Sequence, residues 1–323
     1  MMKRMRSPKT NMLVVLGPTA SGKTTLGVRL AHAFGGEIIS ADSRQVYRGL
    51  DIGAGKDLSE YVIKGQAIPY HLIDVVDLSH EFSVFEYQQR CFAAIEEIWG
   101  RGGLPVMVGG TGLYIEAVLK GYRMVEAPEN SVLREELAEL SDEALAARLM
   151  ALKPHLHNTT DLTDRNRLIR AIEIAQYSKD HPPAPAPDIH AFILGARWER
   201  KMLRERIAKR LEQRFDAGMI AEVEGLRKQG VPLEKLHFLG LEYRYIAEFL
   251  EGRIASYDEL FQQLRTAICQ FAKRQETWFR RMERNGVPIH WVDNADYDSA
   301  FALARKALQP LSQKGGNFNS LKR

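Results

Sequence analysis

Five apolar residues, Met12 to Leu16, run directly into Gly17-Pro18-Thr19-Ala20-Ser21-Gly22-Lys23-Thr24, and an amphipathic stretch over 23–34 comes at once after them. Strand, glycine-rich turn and helix start therefore coincide, which is the layout of a phosphate-binding loop. Its chemistry follows from geometry. Successive backbone N–H groups and the helix N-terminus converge on phosphate oxygens, Lys23 adds a mobile positive charge, and the Thr24 hydroxyl is placed to meet a magnesium ion. The eight residues Gly17 to Thr24 are the candidate phosphate ligands, and Thr24 is the candidate metal ligand. The same turn restricts the fold, because it belongs at the carboxyl end of a strand in a mostly parallel sheet.

The rest of the chain fits that restriction. Further apolar runs at 36–40, about 70–76 and 104–108 alternate with helical patterns such as 23–34 and 84–99. Such alternation predicts parallel strands joined by crossover helices. Beyond Gly121 the pattern is helical only, at about 129–139, 141–151 and 162–177, and it ends in an extended, semi-rigid run from His181 to Pro187. Ala191 to Ala196 resumes the sheet, long amphipathic helices occupy about 200–229, 241–250 and 256–284, and Pro288 to Asp293 reads as a last short strand. The expected fold is α/β: a P-loop NTPase-like parallel sheet flanked by helices, with an inserted helical subdomain and a helical C-terminal part. Its core begins over 11–124, is interrupted by the insertion at 125–190 and is completed over 191–312. The basic start, 1–10, is expected to fray and the polar tail, 313–323, to be disordered.

Composition removes several classes of function. A chain of 323 residues, 45% hydrophobic and 27% charged, with no apolar run of bilayer length and no cleavable leader, is expected to be a globular protein of the cytoplasm without a membrane partner. Cys91 and Cys269 lie far apart with no companion spacing, so they are expected to be ordinary buried thiols, neither disulfide nor zinc ligands. The net charge of +4 is uneven: residues 197–284 carry 19 Lys and Arg against 14 Asp and Glu. That tilt suits a polyanionic partner and a merely solvated helical surface equally.

Candidate chemistry lies just beyond the strands. Asp42, at the end of the second strand, is suited to hold magnesium through water or to take a proton from a nucleophile; capping the next turn is the structural alternative. The fourth strand ends in Val108-Gly109-Gly110-Thr111-Gly112-Leu113-Tyr114, where two glycines imply a close approach of the backbone and Thr111 offers a second phosphate contact. Arg206, Arg210 and Arg214 recur every four residues and form one ridge, while Arg167 and Arg170 are neighbours on another helix. Guanidinium forks suit phosphate oxygens, although a surface ion pair with Glu205, Glu212 or Glu173 is the commoner fate of any single arginine. Phe271 to Arg281 mixes basic and aromatic residues in a way that suits nucleic acid, with Trp278 and Phe279 equally suited to the core. His71 reads as a packed or hydrogen-bonding histidine, not a metal ligand.

In order, GPTASGKT (17–24), SADSRQVYRGLDIG (40–53), HLIDV (71–75), VGGTGLY (108–114), DRNRLIRAIE (164–173) and AKRQETWFR (272–280) resemble the tRNA dimethylallyltransferase family over most of the chain. The resemblance implies transfer of a dimethylallyl group from dimethylallyl diphosphate to N6 of the adenosine at position 37, beside the anticodon, by residues of the quoted blocks. It implies that Gly17 to Thr24 bind the diphosphate, that Lys23, Thr24 and magnesium neutralise it as it leaves, and that Thr111, Arg206 and Arg210 add donors. Asp42 is then the general base. Ser43, Arg44 and Gln45 are implied to lie against the tRNA. Thr111 and Arg134 fall at family contact positions, and Arg167, Arg170, Lys273, Arg274 and Gln275 complete the expected tRNA-binding set, with the insertion gripping the anticodon stem-loop. The adenine is expected to be drawn out of its stack, and the enzyme to work as a monomer.

The chain departs from the family pattern in places. Asp51-Ile52-Gly53-Ala54-Gly55-Lys56-Asp57 stands for the usual Asp-Ile-Gly-Thr-Ala-Lys-Pro, Gly240-Leu241-Glu242 for a Gly-Tyr segment, and Ala267-Ile268-Cys269 for a Thr-rich one. These positions are expected to touch RNA. The rival readings are a small-molecule P-loop kinase using ATP, a prenyltransferase acting on free adenine nucleotides, and a tRNA-binding protein without catalysis. Intact Lys23, Thr24, Asp42 and Thr111 argue against the last.

Overall fold

The computed structural model describes residues 10–153 and 164–309. Residues 1–9 of the expected frayed start, and the expected disordered tail 313–323, lie outside them. In chain order the elements are β1 (Met12–Leu16), α1 (Lys23–Phe34), β2 (Gly36–Ala41), β3 (Val62–Ile63), β4 (Gln66–Ala67), β5 (Tyr70–His71), α2 (Val84–Gly100), β6 (Leu104–Gly109) and α3 (Gly112–Leu119). Three helices come next, α4 (Ser131–Ala138), α5 (Asp142–Leu152) and α6 (Arg165–Asp180). The chain continues with β7 (Ala191–Arg197), α7 (Arg200–Asp216), α8 (Met219–Lys228), α9 (Leu233–Phe238), α10 (Leu241–Leu250), α11 (Tyr257–Arg284), β8 (His290–Asp293) and α12 (Tyr297–Leu308). Residues up to Lys120 and from Asp188 onward form one compact unit, and Gly121–Pro187 form another.

In the first unit six strands build a parallel sheet in the order β5-β2-β6-β1-β7-β8, while β3 and β4 make a separate antiparallel hairpin. Both faces of the sheet are covered, so β1 is apolar at every position yet still divides its side chains by the two-residue period of a strand. Met12, Val14 and Leu16 pack with α2, α7 and α11 on one face, and Leu13 and Val15 pack with α1 and α12 on the other. β6 lies between β1 and β2, and the three end level, with Gly109 in register with both Leu16 and Ala41. The chain leaving each of these strands therefore emerges at one sheet edge, where the phosphate loop, Asp42 and Thr111 meet.

Several expected elements differ. The strand expected to run to residue 76 stops at His71, because Leu72 and Asp74 adopt left-handed backbone conformations at φ 63° and 56°. The long helix expected over 200–229 is two, α7 and α8, divided at Gly218 with φ 96°. The last helix, α12, was not foreseen. Its signals are the Asp296 side chain accepting from the Ser299 N–H and the buried Ala300 and Ala304 one turn apart.

The second unit contains α4, α5 and α6 around Leu133, Leu137, Leu145, Leu149, Leu168 and Ile172. Each helix starts with a side-chain cap, from Asn130, Ser141 and Asp164 respectively. At its centre the Glu173 carboxylate, whose side chain is only 1% exposed, accepts from Arg134, from Arg170 and from the Asn130 backbone N–H.

Candidate active site

The phosphate loop is held from outside by its carbonyl groups. The Trp198 indole N–H donates to the Ser21 carbonyl at 2.8 Å, Arg206 Nε donates to the Ala20 carbonyl at 2.8 Å, and Lys23 Nζ lies 3.4 Å from the Pro18 carbonyl oxygen. No side chain caps the N-terminus of α1, so its first-turn N–H groups keep their capacity for an anion. Although part of the Lys23 stem is accessible, protein encloses its ammonium. Burial and the nearby Arg210 push it down to about 8, against the opposing pull of Asp42.

Asp42 and Thr111 face this loop across the sheet edge. One Asp42 oxygen, Oδ1, accepts from the Arg44 N–H at 2.9 Å, so the turn-capping role is real, and the carboxylate still lines the cavity. Thr111 Oγ1 accepts from the Ser43 N–H at 3.1 Å, which leaves its own O–H proton to donate elsewhere. A cavity of about 310 Å³ brings together Lys23, Thr24, Asp42, Thr111, Arg210 and Arg274. A wider one of about 760 Å³ lies beside it, lined by Gly22, Asp57, Arg206 and Lys209 among others. Lys23, Thr24, Arg210 and Arg214 line both, so the phosphate loop and the arginine ridge form their common throat. Arg210 is half-buried and paired with Asp57 at 2.5 Å, while Arg206 is exposed beside the loop with its guanidinium 4.1 Å from the Trp198 ring centre.

The residues expected to meet RNA separate into two groups. Ser43, Arg44 and Arg274 line the smaller cavity, and the Arg44 guanidinium lies 5.1 Å from the Phe238 ring. Arg167 is exposed on α6. Four others are engaged by protein. Gln45 is buried, with its amide accepting from the Ser40 hydroxyl and donating to the Gly55 carbonyl. Gln275 is also buried: its Oε1 accepts from the Thr19 N–H at 2.8 Å and its Nε2 donates to the Gly110 carbonyl at 3.0 Å. Its amide is thus spent on tying the phosphate loop to the end of β6. Arg134 and Arg170 are committed to Glu173, and Lys273 lines a groove between α7 and α11 instead of the cavity. The close approach implied by Gly109-Gly110 is likewise to protein, since a Cβ on Gly110 would stand 2.3 Å from Gln275 Nε2. His71 pairs with Glu37 at 2.8 Å, Phe279 is fully buried, and Cys269 is only partly buried where a buried thiol was expected.

With this geometry in view, residues 45–282 match the family model described as IPP transferase. The chain belongs to the IPP transferase family. Among relatives, tRNA dimethylallyltransferase 1 of Geotalea uraniireducens (strain Rf4) is 59% identical over 88% of this chain and 92% of its own length. The enzyme of the same name from Syntrophus aciditrophicus (strain SB) is 54% identical over 90% and 95%. Among solved structures, the full-length tRNA isopentenylpyrophosphate transferase of Bacillus halodurans is 32% identical, with a TM-score of 0.66, covering 93% of this chain and 97% of that one. A eukaryotic dimethylallyltransferase acting on tRNA, at 22% identity and a TM-score of 0.75, shares the fold over 95% of this chain and 82% of its own.

Most of this IPP transferase's departures noted in the sequence border the two cavities. Ala54, Gly55, Leu241, Glu242 and Ile268 all line the smaller cavity, and Asp57 lines the larger one. The smaller cavity is the one that Ser43, Arg44 and Arg274 also line, so these positions share it with residues expected to meet RNA. Sequence reasoning also missed Glu222 on α8, whose carboxylate accepts from the N–H groups of Asp51, Ile52 and Gly53 and from the Tyr243 hydroxyl. No local pattern marks such a residue, because its backbone partners lie about 170 positions away.

Proposed function

We infer that this chain transfers a dimethylallyl group from dimethylallyl diphosphate to N6 of an adenosine in tRNA, the adenosine at position 37, beside the anticodon. The transfer to tRNA rests on family membership and on identity of 59% across nearly the whole of a tRNA dimethylallyltransferase. The observation that carries the residue roles is that Lys23, Thr24, Asp42 and Thr111 line one cavity. The adenine N6 lone pair is delocalised into the ring, so attack needs a well-stabilised leaving group, close alignment and a base. N6 attacks C1 of the donor, the C1–O bond breaks, and the electron pair leaves on the diphosphate. The first-turn N–H groups of α1, Lys23 and Arg210 meet the charge that develops there, and Thr111 contributes its O–H. The N6 proton passes to Asp42 Oδ2, the oxygen not held by the Arg44 N–H.

The donor set suits magnesium. The Thr24 hydroxyl, a hard oxygen donor, lines the cavity beside Lys23. That fits an ion which completes its shell with diphosphate oxygens and water. Bound there, it supplies charge neutralisation at the leaving group. On the RNA side, Ser43, Arg44 and Arg274 in the cavity and the exposed Arg167 and Lys273 are the contacts available to the anticodon stem-loop. The chain is read as working as a monomer, and among the described residues no helix is long and apolar enough to cross a membrane. A tRNA substrate suits work in the cytoplasm.

Mass spectrometry of nucleosides from unmodified tRNA incubated with the protein, magnesium and dimethylallyl diphosphate, with AMP as a parallel acceptor, tests the reading. A dimethylallyl mass on tRNA adenosine alone is expected. Mass gain on AMP would identify a nucleotide prenyltransferase, and no gain with ATP consumed would identify a kinase.

A further inference from the structure

The three arginines of the α7 ridge have unequal surroundings. Arg206 is exposed and bonded to the Ala20 carbonyl, and Arg210 has Asp57. Arg214 lies deepest, with only 13% of its side chain exposed. Its nearest carboxylate, Glu242, stands at 3.6 Å, beyond hydrogen-bonding distance, and among the described residues its buried Nε has no hydrogen-bond partner. A cation serving only to neutralise Glu242 would close that gap and satisfy Nε, because burial makes both omissions costly. Burial and Arg210 already depress its proton affinity, and burial raises that of Glu242. Arg214 also reaches the throat through a space that only glycine leaves: a Cβ on Gly55, at φ +60°, would lie 1.6 Å from Arg214 Nη2 and 2.9 Å from Arg210 Nη2.

We propose that Arg214 is a further donor-binding residue, which grips the leaving diphosphate together with Lys23 and Arg210 and for which Glu242 competes. This rests on reading the cavity as the dimethylallyl diphosphate site. An anion at the throat gives the Arg214 guanidinium a partner and relieves the crowding of positive charge there, where Arg210 and Arg214 disfavour charge on Lys23 and Arg210 disfavours it on Arg214. Gly55 acts by leaving the guanidinium its place.

The test is calorimetric titration of inorganic pyrophosphate into the full chain with magnesium, alongside prenyl transfer to tRNA. Arg214→Met keeps the bulk and removes the charge, and should weaken pyrophosphate binding about ten- to a hundredfold, the scale of a lost charge-assisted hydrogen bond. Gly55→Ala should weaken it in the same direction. Glu242→Gln removes the competitor and should tighten it severalfold. Loss of packing would weaken binding in all three, so the opposite sign at Glu242 carries the test even where Arg214→Met melts early. Unchanged affinity in a folded Arg214→Met protein, or weaker binding in Glu242→Gln, overturns the proposal. If the unaltered chain neither binds pyrophosphate nor modifies tRNA, the functional reading itself fails; if it does both and one of those two variant results is found, only the role of Arg214 is lost.

Discussion

Lys23 makes donor affinity depend on pH in a window where an ordinary lysine would not. Its ammonium is held down to about 8, by burial first and then by Arg210, with Asp42 and Glu60 opposing and Arg214 reinforcing the shift. Only the protonated form attracts a diphosphate, and the bound anion raises the lysine again, so above the free-protein value binding must take up a proton. Affinity is then nearly flat below about pH 7.5 and falls about tenfold per unit above about pH 8.5. From about pH 7 to about pH 9.5 the protonated fraction of a group titrating at about 8 drops some thirtyfold, and affinity should drop with it. The assay is equilibrium binding of dimethylallyl diphosphate at constant ionic strength, the donor being fully ionised throughout this range. Lys23→Met should bind weakly at every pH with the falling limb gone. A flat profile in the unaltered protein to about pH 9.5, or an unchanged limb in Lys23→Met, would refute the assignment.

Asp42→Ala should lower the single-turnover transfer rate by about a hundredfold or more while donor binding stays near normal; lost donor binding with an unchanged rate would remove Asp42 as the base. Gln275→Leu leaves the part-buried Thr19 N–H and the buried Gly110 carbonyl without this partner, the latter at about 1–3 kcal/mol, and should weaken donor binding more than tRNA binding, as read by separate titrations. Arg274→Ala should weaken tRNA binding and reduce its salt dependence, whereas Lys273→Ala, on the groove side of α11, should change the salt slope less. Glu173→Gln should destabilise the helical unit by about 3 kcal/mol in thermal melts. Burial raises the Glu173 pKa, but hydrogen bonds from Arg134, the Asn130 N–H and Arg170 leave it below the usual carboxylate value. Its stabilising effect should therefore be complete above the unfolded-state value near 4.5 and vanish as pH falls through the lower folded-state value.

The features legible from residue order alone were local ones. The phosphate loop is eight consecutive residues after a strand, and Asp42 and Thr111 succeed strands that a parallel sheet must bring level, so their meeting needed only the strand order. Polar residues in the same motifs were harder to read. Gln45 and Gln275 look like RNA contacts by composition, yet each amide is consumed by buried groups of the protein, in the second case across 256 positions of chain. Arg170 had Glu173 in reach three positions on along the same helix, as its spacing allowed, but Arg134 meets that carboxylate only across 39 positions of chain. Buried polar groups must find partners, and those partners are set by tertiary packing, which spacing along the chain does not encode.

The same rule explains how an irregular segment serves as a wall of the site. Residues 51–57 lack helix or strand, yet they line both cavities, with Gly53, Ala54 and Gly55 in the smaller and Asp51, Ile52, Lys56 and Asp57 in the larger. The N–H groups of 51–53 are gathered by Glu222, and Lys56, itself buried, donates to the Tyr47 carbonyl at 2.9 Å, to Asp51 at 2.7 Å and to Asp74. A buried ammonium with three oxygen partners is costly to disturb once formed. The loop is thus pinned at both ends, and through Asp57 it fixes Arg210, while Gly55 makes room for Arg214. Because one pinned segment faces both cavities, a change that shifts it alters the hold on the diphosphate and the shape of the other cavity together. The departures at Ala54, Gly55 and Asp57 lie in this pinned segment, and Leu241 and Glu242 line the smaller cavity with it, so each of them borders the site.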